Sequence, residues 1–404
     1  MKANAHCLFQ WVTRMAVLMA AGLIASPRPA TAQEPPASAT LEEIVLDAAK
    51  SIADLAGKES VMVGQIVPSK DLENSNGGPG IERLIEDSLR SLKTVTVLPN
   101  GASFEVTGSV FFVATPSQEP IEVGLKVIRL NLKLTKAATG EESSVPITRF
   151  IKNNTQIIRI VQPSGSLPLD PTKPDPEQRA ERNKTIQELL KNPQSFIDPA
   201  HPSLVSSAKE SPYKVEILAG PLGDGSVRPT RGRDATAETN GLPFVNIARG
   251  EVYEIRIHNT SPGEVAAQVF IDNIGVFAFS DDHDPNDPSR PKYSHVIIPG
   301  AKGGEAVVET IPGWHKSLKS EPNYQAFLVT AYGQGASSKL GQSAHGKVGV
   351  IQVLFSRCFA LAQDGKSKSP GNETGFGPGR NIEQEEAHRE IEPPIDSVSV
   401  RYTR

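Results

Sequence analysis

The chain has 404 residues and a formal net charge of −4, and aromatic residues make up 5% of it. This length is enough for two or three domains with a sizeable core. The slightly acidic balance, the low aromatic content and the lack of a basic stripe disfavour binding to nucleic acid.

The N-terminus has the pattern of a signal peptide. Lys2 and Arg14 precede the apolar run 15–25, which is too short to span a bilayer. Ala30-Thr31-Ala32 then gives the small-x-small pattern of a cleavage site. We predict a signal peptide over residues 1–32. No later run has the roughly 20 apolar residues of a membrane helix. We therefore expect a periplasmic or secreted protein without a transmembrane segment after cleavage.

Cysteine usage excludes a disulfide framework. The chain has two cysteines, and Cys7 lies inside the predicted signal peptide. Cys358 alone remains in the mature chain, so an intramolecular disulfide cannot form. We expect Cys358 to be packed rather than nucleophilic, because it follows an apolar strand.

Residues 40–160 predict a small α+β domain with helices against a mainly antiparallel sheet. Thr40 and Glu43 form a capping box at the start of an amphipathic helix, and Gly57 ends it. A glycine-rich loop then leads into a second amphipathic helix. The predicted strands and the second helix are Glu59–Val67, Ile81–Leu92, Thr94–Leu98, Ser103–Val113 and Glu122–Lys136.

This half resembles an envelope-assembly family. The family includes the curli secretion component, the lipoprotein activators of penicillin-binding proteins and the N-terminal domain of the Tol translocation protein. The matching residues are the glycine-rich entry to the helix 81–92, Phe104–Val110 and Leu132–Leu134 with Thr139-Gly140-Glu141. The resemblance implies a docking domain rather than an enzyme. The membrane-inserting hairpins and the lipid anchor of the curli component have no counterpart here.

Residues 161–210 predict a linker. Pro163–Pro176 is rich in proline, serine and aspartate. Asp175 at the N-cap and Pro176 at the first helical position then predict a short charged helix that ends before Pro193. Few of its residues are apolar, so we interpret it as a spacer between domains.

Residues 211–360 predict an antiparallel β-sandwich. In Gly250–Phe279, two stretches of alternating apolar and polar residues flank the turn Asn259–Gly263, which predicts a hairpin. Further short strands at regular spacing are typical of a sandwich. They are predicted at Tyr213–Ile217, His295–Ile298, Glu305–Ile311, Tyr324–Tyr332 and Val348–Phe355. We predict a disordered segment over 361–394 and a terminal edge strand over 395–404.

The C-terminal half resembles a domain of uncharacterised exported bacterial proteins. The residues that match are Tyr253–Asn259, Val296–Gly300, Ile311–Trp314, Val348–Ile351 and Val398–Tyr402. The resemblance implies a fold and a compartment outside the cytoplasm, but no reaction.

The loop Asp281–Asp287 is the densest group of potential metal ligands. Oxygen ligands at alternate positions of a loop suit Ca²⁺, with Asp282, Asp284 and Asp287 as the best candidates. The loop lacks the glycine hinge and distal glutamate of an EF-hand, and a solvated loop is the alternative. His283, His295, His315 and His345 could supply zinc ligands, but their spacing favours scattered histidines.

Trp314, Tyr293 and Tyr324 are candidates for a sugar-stacking platform. Trp314 follows Pro312-Gly313, and the alternative is that it lies in the core or at a corner. The chain has no nucleophile elbow, zinc-protease helix or cysteine–histidine pair. We therefore assign no catalytic residues and no cofactor beyond the calcium candidate.

These patterns favour a non-enzymatic exported protein that binds another envelope protein or a cell-wall glycan. An unpaired sandwich edge that accepts a partner strand supplies the physical route. The first alternative is a metal-dependent hydrolase that uses the Asp281–Asp287 loop. The second is a carbohydrate-binding β-sandwich, in which Trp314 would stack on sugar.

Overall fold

The computed structural model describes residues 40–69, 72, 77–114, 125–222, 229, 231–238, 242–272, 274–285, 287–330, 349–360 and 386–402. The predicted signal peptide, residues 1–32, lies outside these ranges. So does most of the segment 361–394 that is predicted to be disordered. Within the described residues, no helix is both long enough and apolar enough to cross a membrane.

The first part of the described chain forms a five-stranded sheet with two helices. The elements are α1 (Leu41–Ala56), β1 (Ser60–Pro68), α2 (Gly77–Leu92), β2 (Thr96–Val97), β3 (Phe104–Ala114), β4 (Lys126–Lys136) and β5 (Glu142–Val145). The strand order is β2-β1-β3-β4-β5. β1 runs parallel to β2 and β3, whereas β4 runs antiparallel to β3 and β5. The sheet is thus mixed, which corrects the prediction of a mainly antiparallel one.

Both predicted helices are present. The capping box of α1 is confirmed: the Thr40 hydroxyl accepts from the Glu43 amide at 3.2 Å, and the Glu43 carboxylate accepts from the Thr40 amide at 3.1 Å. α2 begins at Gly77 rather than Ile81, so glycine-rich residues predicted as a loop form its first turn. The apolar face of α2 packs into the core, where Ile81, Ile85 and Leu89 are buried.

The segment predicted as a linker contains packed elements instead. α3 (Asn154–Val161) ends where this segment begins, and the elements within the segment are β6 (Gly165–Ser166), α4 (Asp175–Lys191), β7 (Phe196–Ile197) and β8 (Leu204–Ser206). α4 begins after Pro174, and no side chain caps it, so Asp175 is the first helical residue rather than the N-cap.

Two polar side chains of α4 are buried and attach the helix to the rest of the fold. Arg182 is 3% exposed and donates to the carbonyls of Pro168 and Pro394 at 2.8 and 2.7 Å. Asn183 exchanges two hydrogen bonds with the backbone of Lys126, at 2.8 and 3.1 Å. The hydrogen bonds offset much of the cost of removing these polar groups from water. The helix is therefore an integral part of the fold and not a free spacer.

The rest of the described chain is almost entirely β. Its strands are β9 (Tyr213–Pro221), β10 (Ala235–Ala237), β11 (Pro243–Val245), β12 (Glu251–Asn259), β13 (Val265–Ile271), β14 (Ile274–Gly275), β15 (His283–Asp284), β16 (Asp287–Pro291), β17 (Val296–Ile298), β18 (Val307–Ile311), β19 (Gly313–His315), β20 (Tyr324–Leu328), β21 (Val350–Ala360) and β22 (Arg389–Arg401).

These strands form two large sheets and one small pair. The eight-stranded sheet has the order β10-β11-β22-β21-β13-β14, with β17 beside β13 and β6 beside β22. The seven-stranded sheet has the order β19-β20-β12-β9-β8-β7, with β18 beside β12. β15 pairs with β16 alone. β22 lies between β11 and β21, so the predicted terminal edge strand is in fact internal.

The predicted hairpin of Gly250–Phe279 is wrong. β12 and β13 form at the expected residues, but β12 pairs with β9, β18 and β20, whereas β13 pairs with β14, β17 and β21. The turn between them carries the chain from one sheet to the other. Asn259 shapes this crossover, because its buried amide bonds to Ser261, Gly263 and Pro299.

Two hydrophobic clusters organise the described residues. One contains side chains from both large sheets, including Ile255 of β12 and Phe355 of β21. The other joins α1, α2 and the five-stranded sheet to α3, and it also includes Phe270 and Leu354 from the eight-stranded sheet. The described fold is therefore predominantly β with a helical layer, and residues 36–404 cluster as one unit.

Candidate functional site

The structure brings most of the predicted site residues into one region. The loop that follows β14 packs against β19 and the turn after it. Asp281 donates its amide to the carbonyl of Lys316 at 2.6 Å, and Lys292 donates its amide to the carbonyl of Asp282 at 2.8 Å. The acidic loop and the aromatic trio, which the sequence treats as separate candidates, are thus neighbours.

Asp282 has a structural role in this region. Its carboxylate accepts from the Ser317 hydroxyl and the Leu318 amide, both at 2.9 Å. Burial opposes ionisation, but these two hydrogen bonds outweigh it, and the pKa of Asp282 lies below its ordinary value. The carboxylate therefore holds the turn after β19.

The structure does not bring a metal-binding group together in its described part. No three acid, histidine or cysteine side chains there are arranged to hold a metal ion. Asp284 lies opposite Asp287 in the β15–β16 pair. The side chain of Asp287 and the whole of His345 lie outside the described residues, so the calcium site of Asp282, Asp284 and Asp287 stays a prediction.

The aromatic candidates do not form one platform. Tyr324 is 2% exposed, and Tyr293 is partly buried; their rings both pack edge-on against His315, with centroids 5.3 and 5.6 Å from it. Trp314, the residue before His315 on β19, packs instead against Phe279 and Phe327 at 4.9 and 5.2 Å. Because Tyr324 is buried and Trp314 contacts other neighbours than the two tyrosines do, the three rings do not present one common face for sugar stacking.

His315 is the centre of this region, and the sequence pointed to it only as one of four scattered histidines that could ligate zinc. It is fully buried, and its Nδ1 lies 3.0 Å from the Ser280 hydroxyl. Burial lowers the pKa of His315, so the ring is neutral at neutral pH. Its Nε2 has no hydrogen-bond partner and is enclosed by the rings of Phe277, Tyr293 and Tyr324.

The Ser280–His315 pair does not have the geometry of a nucleophile and its base. Ser280 is 5% exposed. Its hydroxyl also accepts from the Asp282 amide at 3.1 Å and lies 3.1 Å from the Lys316 carbonyl. A catalytic serine needs a hydroxyl that a substrate can reach. The pair instead fixes the loop onto β19.

Three other buried groups with potential reactivity have structural roles or an unreactive protonation state. Asp272 accepts from the amides of Gly349 and Val350 and from the Tyr402 hydroxyl. Asp396 accepts from the hydroxyls of Ser207 and Ser211. Burial raises the pKa of the Cys358 thiol to about 11, which makes it a poor nucleophile at neutral pH. These groups support the fold.

A sheet edge without a described partner strand lies next to this region. β18 leads through Pro312 into β19, and it pairs with β12 from Val307↔Asn259 to Ile311↔Ile255. Thr260 donates its amide to Pro212 on the opposite side of β12. Because backbone groups alternate sides along an antiparallel strand, those of Val308 and Thr310 point away from β12. No described residue pairs with that outer edge.

This edge carries one feature that commonly blocks a free strand, the inward-facing charge of Glu309, and lacks several others. Val307 and Ile311 pack towards the core, Val308 is 44% exposed, and no lysine or proline lies within the strand. Natural edges are commonly blocked by such residues or by a bulge. The one charged residue, Glu309, lies opposite the fully buried Ile257 on the core-facing side.

Glu309 is a half-buried acid without a described cationic partner. Burial raises its pKa above the ordinary value. Sequence reasoning missed it because its orientation depends on the register with β12. The available signal was its position between Val307 and Ile311 in the alternating pattern of the strand.

A comparison with family models finds no match to the chain. Comparisons with curated proteins and with solved structures find no match either. The interpretation of the site therefore depends on its geometry.

Proposed function

We propose that this chain is a non-enzymatic, exported envelope protein that binds another envelope protein by strand addition at the outer edge of β18. In this proposal, the seven- and eight-stranded sheets form a β-sandwich, which is supported by the side chains that both contribute to one hydrophobic cluster. The observation that carries the proposal is the partly apolar outer edge of β18, with which no residue in the described part of the chain pairs. An extended peptide gains main-chain hydrogen bonds at such an edge.

The geometry gives less support to the other candidate functions. Sugar stacking would need accessible rings, but Tyr324 is 2% exposed and Trp314 packs against Phe279 and Phe327. The apolar face of α2, an alternative docking surface, is buried in the core. Strand addition at β18 would use backbone groups with which no described residue pairs.

We expect Val308→Pro to abolish partner binding without unfolding the protein. The amide of Val308 points away from β12, so proline removes no hydrogen bond of the sheet, and proline is tolerated at such edge positions. A partner strand, however, loses a hydrogen bond and meets the proline ring. When the proteins are immobilised and exposed to an envelope extract, the amount of partner that Val308→Pro retains should be lower than for wild type by about tenfold or more.

Val308→Thr is the matched control, because it changes the side chain and keeps the amide. It should retain the same partner as wild type. Circular dichroism and the melting temperature should show that both variants are folded. Equal retention by Val308→Pro and wild type, or no specific retention by wild type, would contradict strand addition at this edge.

A further inference from the structure

We propose that the partner strand carries a lysine or arginine opposite Glu309, between apolar residues that continue the rows of Val307 and Ile311. This inference rests on the proposed function and specifies its partner. The occupant is therefore an extended, basic–apolar peptide segment of another protein.

The position of Glu309 carries the argument. It lies between two core-facing apolar residues, Val307 and Ile311, and opposite buried Ile257. A strand added to the outer edge would cover this side of β18 and remove more water from the carboxylate. Burying an unpaired charge is costly, whereas a cation directly across the strand compensates for it.

The same residue disfavours a second copy of this chain as the occupant. In a symmetric antiparallel pair of β18 edges, the register that pairs all five residues, Val307–Ile311, places one Glu309 directly opposite the other. Like charges at directly opposed positions destabilise a strand pair. Glu309 thus selects against self-association while it leaves the edge available to a basic strand.

The test uses short fluorescent peptides with the sequence Val-Thr-X-Val-Val, in which X is lysine, threonine or glutamate. The order places X opposite Glu309 in an antiparallel pair. Fluorescence anisotropy with wild-type protein should give a dissociation constant for the lysine peptide about fivefold lower than for the threonine peptide. The glutamate peptide should bind most weakly.

Variants at position 309 separate charge recognition from strand addition. Glu309→Gln should remove the preference for lysine, and Glu309→Lys should reverse it in favour of the glutamate peptide. Val308→Pro should weaken binding of all three peptides. Sedimentation of Glu309→Val should show more self-association than wild type, because the repulsion between edges is gone.

Two results would overturn the inference in distinguishable ways. Equal binding of the three peptides, weakened by Val308→Pro, would refute the charge preference and leave strand addition at β18 intact. Binding of none of the peptides, together with no effect of Val308→Pro on partner retention, would count against the edge itself and so against the proposed function.

Discussion

Glu82→Gln is expected to make the protein more stable at neutral and mildly alkaline pH, and to flatten its dependence of stability on pH. Glu82 lies on α2 and is 3% exposed. Its Oε1 accepts from the amide of Ile66 at 2.7 Å, at the point where the register of β1 against β3 shifts. Burial raises the pKa of Glu82 from 4.5 to about 8.

The sign of the effect follows from proton linkage. Between its unfolded pKa of 4.5 and its folded pKa of about 8, the folded protein holds a proton that the unfolded chain releases. The free energy of unfolding therefore falls as pH rises through this window and is constant above it. At about 1.4 kcal/mol per pKa unit, the total loss is on the order of 5 kcal/mol.

Glutamine keeps the acceptor for Ile66 and cannot ionise. Urea unfolding should give similar free energies of unfolding for wild type and Glu82→Gln at about pH 5. At about pH 8, the free energy of unfolding of the variant should be higher than that of wild type by on the order of 3 kcal/mol. Glu86→Gln is the matched control on the same helix, because it breaks the ion pair with Arg90 and leaves Glu82 in place. An unchanged pH profile in Glu82→Gln would mean that Glu82 is ionised in the fold.

Local sequence patterns predicted where helices and strands form better than they predicted which strands pair with each other. The capping box of α1 and the alternation in β4 and β12 depend on residues close in sequence, and these elements form where expected. The pairing of β12 and β13 depends on the conformation of the turn between them. A Pro-Gly turn is compatible with a hairpin and with a crossover, so the sequence pattern could not separate the two.

The packing of polar residues was the main feature that the sequence did not reveal. The low apolar content of α4 suggested a solvated spacer, yet its residues Arg182 and Asn183 are buried and bond to the carbonyls of Pro168, Pro394 and Lys126. Ser397 and Ser399 of β22 likewise bond to the carbonyls of Pro163 and Gln162. These partners lie far away in the sequence, so residue type alone pointed to the surface.

In the candidate site, too, the sequence predicted individual residues better than their spatial neighbours. The patterns in the sequence pointed to Asp282, Tyr293 and Tyr324, which the structure places in one region. They pointed to His315 only as a possible zinc ligand, and not as the common neighbour of these residues. Strand addition at a sheet edge was predicted from fold class, whereas the identity of the edge required the strand order. The core-facing orientation of Glu309 becomes evident only from the strand register, which places it opposite Ile257.

Asn259→Asp is expected to destabilise the protein strongly at neutral pH, and more than Asn259→Ala does. Asn259 is fully buried at the crossover between the two large sheets. Its Nδ2 donates to the carbonyls of Gly263 and Pro299 at 3.0 and 2.9 Å, and its Oδ1 accepts from the amide and hydroxyl of Ser261 at 2.9 and 2.7 Å.

Alanine leaves the two carbonyls and the Ser261 amide without this partner, which should cost about 3 kcal/mol. Aspartate keeps the acceptor side but directs a carboxylate oxygen at two carbonyl oxygens, so a buried charge is added to the lost bonds. Burial and these carbonyls should raise the pKa of the new carboxyl above its unfolded value of about 3.9. The penalty should therefore grow as pH rises beyond that value.

Urea unfolding of wild type and both variants at about pH 4 and about pH 7 tests this expectation. Relative to wild type at each pH, the alanine variant should lose the same stability, whereas the aspartate variant should lose more at the higher pH. Ser261→Ala, which removes one hydroxyl from the acceptor side, should cost only about 1 kcal/mol. An aspartate variant as stable as wild type at neutral pH would show that the Asn259 amide does not hold both carbonyls. The crossover would then owe its conformation to the backbone of the turn, and the placement of β12 and β13 in separate sheets would need another cause.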